Sequence, residues 1–320
     1  MIKKKLASMD GHTCKHAAKR ASFLMHLKRD RHLCLMFLPI LLYYIIFIYL
    51  PLPGLYIAFS KYLSGRGIFT AEFVGLYWIR RFFSSIYAWR VIRNTFLISL
   101  YSMVFGFPIP IIFALCVNEI RKSAVKRFVQ TVSYLPHFIS VVVVVGMMKN
   151  ILAYNDGIVN NLLVSLGMEK FDFFGNPGVF RIMYVGSGVW QSFGFSSIIY
   201  LSAIAGINPE LYESAQMDGI TKFKEVWHIT LPMLKQTILT LFLLNIGGLM
   251  SVGFEKIYLM YSSAVLETAD VISTMVYRAG ILNAEPSYAT AVGLLNSLVT
   301  FILVWISNYA CRKAAQMSLW

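Results

Sequence analysis

The sequence predicts an all-α, polytopic membrane protein with six transmembrane helices, and three observations lead there. Hydrophobic residues fill 58% of its 320 positions and charged residues only 14%, against roughly 25% charged usage in soluble domains. Six windows, 32–60, 94–118, 128–148, 182–209, 236–254 and 286–311, contain no Asp, Glu, Lys or Arg. Each reaches the roughly 18–20 residues that cross about 30 Å of hydrocarbon as a helix. With the N-terminus inside, 18 of the 29 Lys and Arg fall on the cytoplasmic side, the direction of the positive-inside rule. A membrane barrel would instead show short alternating segments of about ten residues.

Taken in order, residues 1–31 carry nine Lys or Arg and read as a basic cytoplasmic tail that anchors the first helix. The formal charge of +14 therefore reports topology, and no nucleic acid is expected as a partner. The apolar run behind this tail is too long for a signal h-region, so the first span is expected to be retained. That span, about 32–60, contains Pro39, Pro51 and Pro53. In the outer loop 61–93, Arg80, Arg81, Arg90 and Arg93 alternate with Trp78, Phe82, Phe83, Tyr87 and Trp89. This pattern predicts an amphipathic segment at headgroup level.

The spans at about 94–118 and 128–148 enclose the inner loop 119–127, and Pro108 and Pro110 interrupt the former. Each proline removes a backbone hydrogen bond that neighbours must replace. Outer loop 149–181 carries the turn signals "YNDG" and "FGNPG". Spans at about 182–209 and 236–254 flank the inner segment 210–235, and outer loop 255–285 leads to the last span, 286–311, and a cytoplasmic tail, 312–320. Cys14, Cys34, Cys116 and Cys311 show no CxxC spacing, so neither a disulfide framework nor a metal site is expected.

The inner segment is charged and Gly-punctuated although two spans flank it. Asn208 can cap a helix whose first residue is Pro209, with Glu210 near its positive end. Gly219 is the natural stop of that helix. Thr221 can cap a second short helix, "KFKEVWHI", with Phe223, Val226 and Trp227 on one face, and Pro232 restarts the chain as the next span. The result is an amphipathic cytoplasmic hairpin over 208–232 with an exposed Glu213 and the small residues Ser214 and Ala215, a shape that suits a groove on another protein.

"ESAQMDGITKFKEVWHITLP" resembles the EAA loop of permease subunits of binding-protein-dependent ABC importers, whose pattern is EAA-x3-G-x9-I-x-LP. Glu213, Ala215, Gly219, Ile229, Leu231 and Pro232 match it; Ser214 stands in place of the first Ala, and Asp218 before the Gly is a frequent companion in sugar-import members. "QTVSYLPHFISVVVV", "WQSFGFSSIIYLSAIAGINPELYESA" and the first two spans resemble carbohydrate permeases of the LplB type, so the likeness covers roughly 30–315. It implies the type I permease fold of ABC importers, in the cytoplasmic membrane of a bacterium with both termini inside. The implied partners are a second homologous permease, two ATP-binding subunits that seat the EAA helix, an extracytoplasmic solute-binding protein and a sugar.

No "GxxxxGK[ST]" loop occurs in the sequence, so this chain is expected to be no enzyme and to bind no cofactor itself, with ATP and Mg held by the partner subunits. Glu213 is the expected ionic contact, Ala215 the close-packing point and Gly219 the hinge. For a substrate path the candidates are the intramembrane amides Gln191, Asn245 and Asn296 with the aromatic residues Trp190, Phe193 and Tyr200, since rings stack on sugars and amides bond hydroxyls. Three other readings stay open: a permease for a non-sugar solute; a membrane enzyme, for which Asp156, Glu169 and Asp172 share an outer loop but show no recognisable spacing; and an ion-coupled carrier. The last would want buried acids, which the six windows lack.

Overall fold

The computed structural model describes residues 31–63, 65, 67–250 and 252–315. The basic tail expected over 1–31 lies outside these, apart from Arg31, as does 316–320. Two compact units divide the chain, residues 1–56 and 57–320. In the first, helix α1 (Arg31–Tyr44) runs through Pro39 into a wider π turn, Ile45–Tyr49. Leu50 N donates to Ile45 O at 2.8 Å just ahead of Pro51.

The second unit is helical apart from a small antiparallel ribbon pairing β1 (Ser60–Lys61) with β2 (Glu72–Phe73). Helices α2 (Tyr77–Ser84), α3 (Ala88–Gly106) and α4 (Pro108–Asn118) follow. Next come α5 (Ser123–Tyr134), α6 (Val141–Ile151), α7 (Ile158–Ser165) and α8 (Pro177–Ala205). The chain continues with α9 (Pro209–Met217), α10 (Lys222–Glu225) and α11 (Leu231–Gly247). Short helices α12 (Phe254–Met260), α13 (Leu266–Ala269) and α14 (Ile272–Tyr277) precede α15 (Pro286–Ala315).

Among the described residues, four helical runs are long and apolar enough to cross a bilayer: Leu35–Phe59, Ala88–Asn118, Lys222–Gly247 and Pro286–Tyr309. A fifth arises if Ser123–Phe138 and Val141–Ile151, bent by 98° at their junction, count as one span. The run expected as one span over 128–148 is therefore broken. Pro136 tightens the chain into a 3-10 turn, Leu135–Phe138, and the Ser140 side chain then caps α6 by accepting from Val143 N at 3.4 Å. Helix α8, 29 residues long, also has the length to span, but its middle is diluted by Gly and Ser. Large apolar side chains such as Phe105, Leu244, Phe301 and Trp305 are exposed, an arrangement that lipid tolerates and water does not.

Helix α8 is the centre of the unit, packing against α3, α4, α5, α11 and α13. Its small residues explain why. A Cβ built on Gly194 would stand 2.1 Å from Ser133 O, so α5 and α8 touch through backbone. Among the described residues the core falls into three apolar clusters, two of which include α8. One joins Trp78, Phe82 and Val91 to Tyr288 and Val292. Another joins Ile98 and Val145 to Phe180, Tyr184 and Ile257. The last sets Tyr200 and Ile204 against Ala114 and Leu234.

Gly194→Val should force α5 from α8 and lower the yield of folded, monodisperse protein, since overpacking costs about 1–3 kcal/mol. Gly186→Val, where a Cβ meets nothing within 4 Å, should not. Equal yields in size-exclusion chromatography would remove the close-approach argument.

Candidate functional site

The hairpin is built by local capping. Asn208 accepts from Glu210 N at 3.1 Å, and Pro209 opens α9. At the other end Gly219, at φ +69°, donates its N–H to Gln216 O at 3.0 Å, while Ile220 N reaches back to Ala215 O at 3.2 Å. This is the paired closure of a Schellman stop, which needs a left-handed residue at the glycine. Asp218 is the exposed C-cap, Ala215 is buried, and Glu213 and Ser214 are exposed. Tyr212 Oη and Thr230 Oγ1, 3.1 Å apart, tie the two limbs together. Met217 (89% exposed) and Phe223 (78%) project outward, with Phe223 stacked on Trp227 at 6.4 Å.

Two expectations for the second limb need correction. Thr221 sits at the N-cap with extended backbone but its side chain makes no cap hydrogen bond; the Lys222–Glu225 pair at 2.8 Å holds that turn instead. Nor does Pro232 restart a separate helix. A π turn over Val226–Thr230, closed by Leu231 N to Val226 O, absorbs the proline, and helix runs unbroken from Lys222 to Gly247. Ile229 and Leu231 are half-buried along it and Pro232 is exposed.

The six substrate-path candidates are not brought together. Gln191 Nε2 donates to Ile139 O at 2.6 Å, at the break between α5 and α6. Phe193 packs edge-on against Phe113 at 5.0 Å, Tyr200 is buried beside Ala114 and Leu234, and Trp190 is exposed. Asn296 Nδ2 donates to Met250 O at 3.3 Å. Asn245 bonds Leu241 O of its own helix at 2.9 Å and is the only one of the six to line a cavity of about 220 Å³, with Ser99, Ser102, Tyr184 and Gly253.

Near that cavity Lys256, on α12 outside the spans, is buried. Its Nζ donates to Tyr184 O at 2.8 Å and lies 4.8 Å over the Tyr184 ring. Burial pushes its pKa down to about 8.

A larger cavity, about 810 Å³, was not foreseen. Arg81, Arg90, Asp270, Arg278, Glu285 and Tyr288 line it. Asp270 is buried and receives Arg278 Nη2 at 2.7 and 2.8 Å, Arg90 Nη2 at 3.3 Å and Thr274 Oγ1 at 2.9 Å. Arg81 pairs with Glu285 at 2.9 Å. Two arginines assigned to a headgroup-level segment thus pair with carboxylates distant in the chain, Arg90 with a buried one and Arg81 with a partly exposed one. The partners of Arg90 and Arg81 lie 180 and 204 residues away in the chain, a separation that no local pattern reports.

A family model described as "Binding-protein-dependent transport system inner membrane component" matches residues 106–315. The chain is 40% identical over 303 residues to Protein LplB of Bacillus subtilis (strain 168), covering 95% of each. It is 38% identical to the polygalacturonan/rhamnogalacturonan transport system permease protein YteP of the same organism, covering 94% of each. Among solved structures it is similar to a chain of a bacterial alginate ABC transporter in complex with an alginate pentasaccharide-bound periplasmic protein. There the TM-score is 0.85 at 40% identity, covering 92% of this chain and 99% of that one.

The depressed pKa of Lys256 sets a pH dependence. Below pH 8 both folded and unfolded chains carry the charge, and the folded state bears the desolvation penalty. Between about 8 and the ordinary 10.5 only the unfolded chain keeps the proton, so stability rises with pH across that window. Lys256→Met should therefore raise the melting midpoint at pH 7, by a penalty on the order of 3 kcal/mol for a shift from 10.5 to about 8. Its advantage should shrink as the pH approaches 10. A constant gap between pH 7 and 10 in detergent melts would contradict this.

Proposed function

The chain belongs to the family of binding-protein-dependent transport system inner membrane components, and from that premise we propose that it imports an oligosaccharide as one permease of an ATP-driven complex. Its partners in this reading are a second, homologous permease, two ATP-binding subunits that hold ATP and Mg and hydrolyse the nucleotide, and an extracytoplasmic solute-binding protein. The saccharide transport named in the relatives supports the cargo class. The Lys and Arg distribution supports cytoplasmic termini and a cytoplasmic hairpin.

The observation that carries the mechanism is the unbroken helix from Lys222 to Gly247. At 1.5 Å per residue it forms a lever of roughly 38 Å. One end is the hairpin limb tied to α9 through Tyr212 and Thr230; the other carries Asn245 at the 220 Å³ cavity. An ATPase subunit that closes on α9, with Glu213 as ionic contact and the buried Ala215 letting α9 pack closely on this chain, therefore moves the far end of α11 without an intervening joint. Ser214, Asp218 and Gly219 hold α9 in shape, and Ile229, Leu231 and Pro232 lie at the widened turn that carries the helix through the proline. Asn245 is the best placed of the path residues to meet cargo; Trp190, Gln191, Phe193, Tyr200 and Asn296 serve packing around the route.

Two experiments check this reading. Single cysteines at Gln216 and Ser165, in a chain with the native cysteines replaced, should label from opposite sides with a membrane-impermeant thiol reagent. Labelling of position 216 from outside intact cells would reverse the topology. Gly219→Val should strain the left-handed stop by about 1–2 kcal/mol. It should lower uptake and ligand-stimulated ATPase together in the reconstituted complex, more than Glu213→Ala does, while Ser165→Ala changes neither. Wild-type uptake and ATPase in both hairpin variants, at normal complex yield, would end the coupling role.

A further inference from the structure

Another cavity, of about 640 Å³, runs along α8 and carries Arg181 as its one charged lining residue. Its walls are Tyr101 and Phe105 on α3, Ile109 on α4, and Ile182, Val185 and Val189 on α8. Helices α3 and α8 run side by side in the same direction. Arg181 Nη2 donates to Asn94 Oδ1 at 2.7 Å, and further along a Cβ built on Gly106 would stand 3.9 Å from Val189. Ile182 is 71% exposed and Phe105 54%, so the cavity is a groove open along its side. Gly186 lines it too, with nothing within 4 Å where a side chain would stand.

The extent of the groove limits what can fill it. From Gly178 to Val189 the α8 wall rises roughly 16 Å at 1.5 Å per residue, about half of the ~30 Å of hydrocarbon in a bilayer. A partner's spanning helix would need a groove of full depth, whereas an acyl chain occupies one leaflet.

The charge sits at one end of this apolar length. Arg181 is half-buried in the second turn of α8, and Arg93, close by on α3, is exposed. Among the described residues neither makes an ion pair. Burial, and after it the charge of Arg93, pull the Arg181 pKa down, and the exposed Glu267 raises it by less than Arg93 lowers it. The local field is therefore positive. The N-terminus of α8, whose first turn contributes Gly178 to the groove, adds to it. A guanidinium fixed by an amide at the end of an apolar groove suits a phosphate with a hydrocarbon chain below it, as basic pockets between membrane helices suit lipid headgroups.

We propose that this groove holds one anionic phospholipid, its phosphate on Arg181 with Arg93 beside it and one acyl chain lying between α3 and α8 as far as Val189. In the topology proposed above it is a lipid of the outer leaflet. The site serves the membrane around the permease and is independent of the solute imported.

The test offers the assembled importer, delipidated in detergent, equimolar dioleoyl phosphatidylglycerol and dioleoyl phosphatidylcholine. The latter has the same chains and phosphate but no net charge. Native mass spectrometry counts the first lipid retained, which should be phosphatidylglycerol by about tenfold. Arg181→Gln, whose amide can still donate to Asn94, should bring the two lipids near parity. Gly186→Phe, which fills the groove with both arginines intact, should cut first-lipid retention about tenfold, and it decides alone if the Arg181 variant does not assemble. Equal retention of the two lipids by the wild type, or retention and preference unchanged in the variants, overturns the proposal and leaves ordinary annular lipid. Displacement of the lipid by an equal concentration of glycerol 3-phosphate, a headgroup without chains, overturns it in favour of a free phosphate ester. Loss of the second permease from Gly186→Phe, with this chain alone still monodisperse, overturns it in favour of a protein interface. No arm contains a saccharide, so failure here leaves the import reading standing.

Discussion

A bilayer supplies no hydrogen bonds, so every backbone group that a proline or a turn frees at membrane depth must find its partner within the protein. Much of this chain's architecture is a set of answers to that constraint. Where Pro136 breaks the path between α5 and α6, Gln191 on α8 reaches across and donates to Ile139 O. Where Pro232 would stop the helix, the turn widens over Val226–Thr230 and the helix continues. The same device precedes Pro51. The break and the widened turn have opposite mechanical consequences. A bend of 98° separates two rigid pieces, and a π turn joins them.

Charge follows a similar logic around Asp270. A carboxylate as buried as Asp270 is tolerable only when paired and hydrogen-bonded on most of its lone pairs. It receives Arg278, Arg90 and Thr274, drawn from α3, α14 and the turn after α14. Asn94 adds a cross-tie, donating to the carbonyls of Asp270 and Glu267 and accepting from Arg181 on α8 at 2.7 Å. This polar network therefore pins the N-terminal ends of α3 and α8 to the segment between α11 and α15. Removing one partner would leave the others buried without their counter-charge, so the layer behaves as a unit rather than as separate surface pairs.

What could be read in the sequence was what its nearest neighbours decide. Asn208, Pro209 and Gly219 act within a turn of themselves, and the α9 hairpin was legible from them. Charge-free windows reported the apolar runs because lipid selects composition directly. Pro136 was visible, but its 98° consequence depends on Ser140 capping the next helix and on Gln191 answering the bend. Gln191 itself was read as a path residue because an intramembrane amide looks the same whether it meets cargo or a carbonyl 52 residues away. The Arg90–Asp270 pair was illegible for the same reason. Its members lie 180 residues apart, and only the packing of α3 against α14 and α13 brings them together.

The proposed lever and the network around Asp270 differ in the kind of contact that holds them. Helix α11 meets its neighbours through Leu234, Leu243 and Ile246, and among the described residues none of its side-chain hydrogen bonds crosses to another helix; Asn245 bonds Leu241 O on α11 itself. Apolar contacts are non-directional and exchange one partner for another at small cost as surfaces slide. A directional bond must break first. Helix α8, by contrast, is tied by Gln191 to the α5–α6 bend and by Arg181 to Asn94, and it touches α5 through backbone at Gly194. In the coupling proposed above, a force applied at the hairpin meets only apolar contacts along α11, and the polar group carried with that helix is the Asn245 amide at the 220 Å³ cavity.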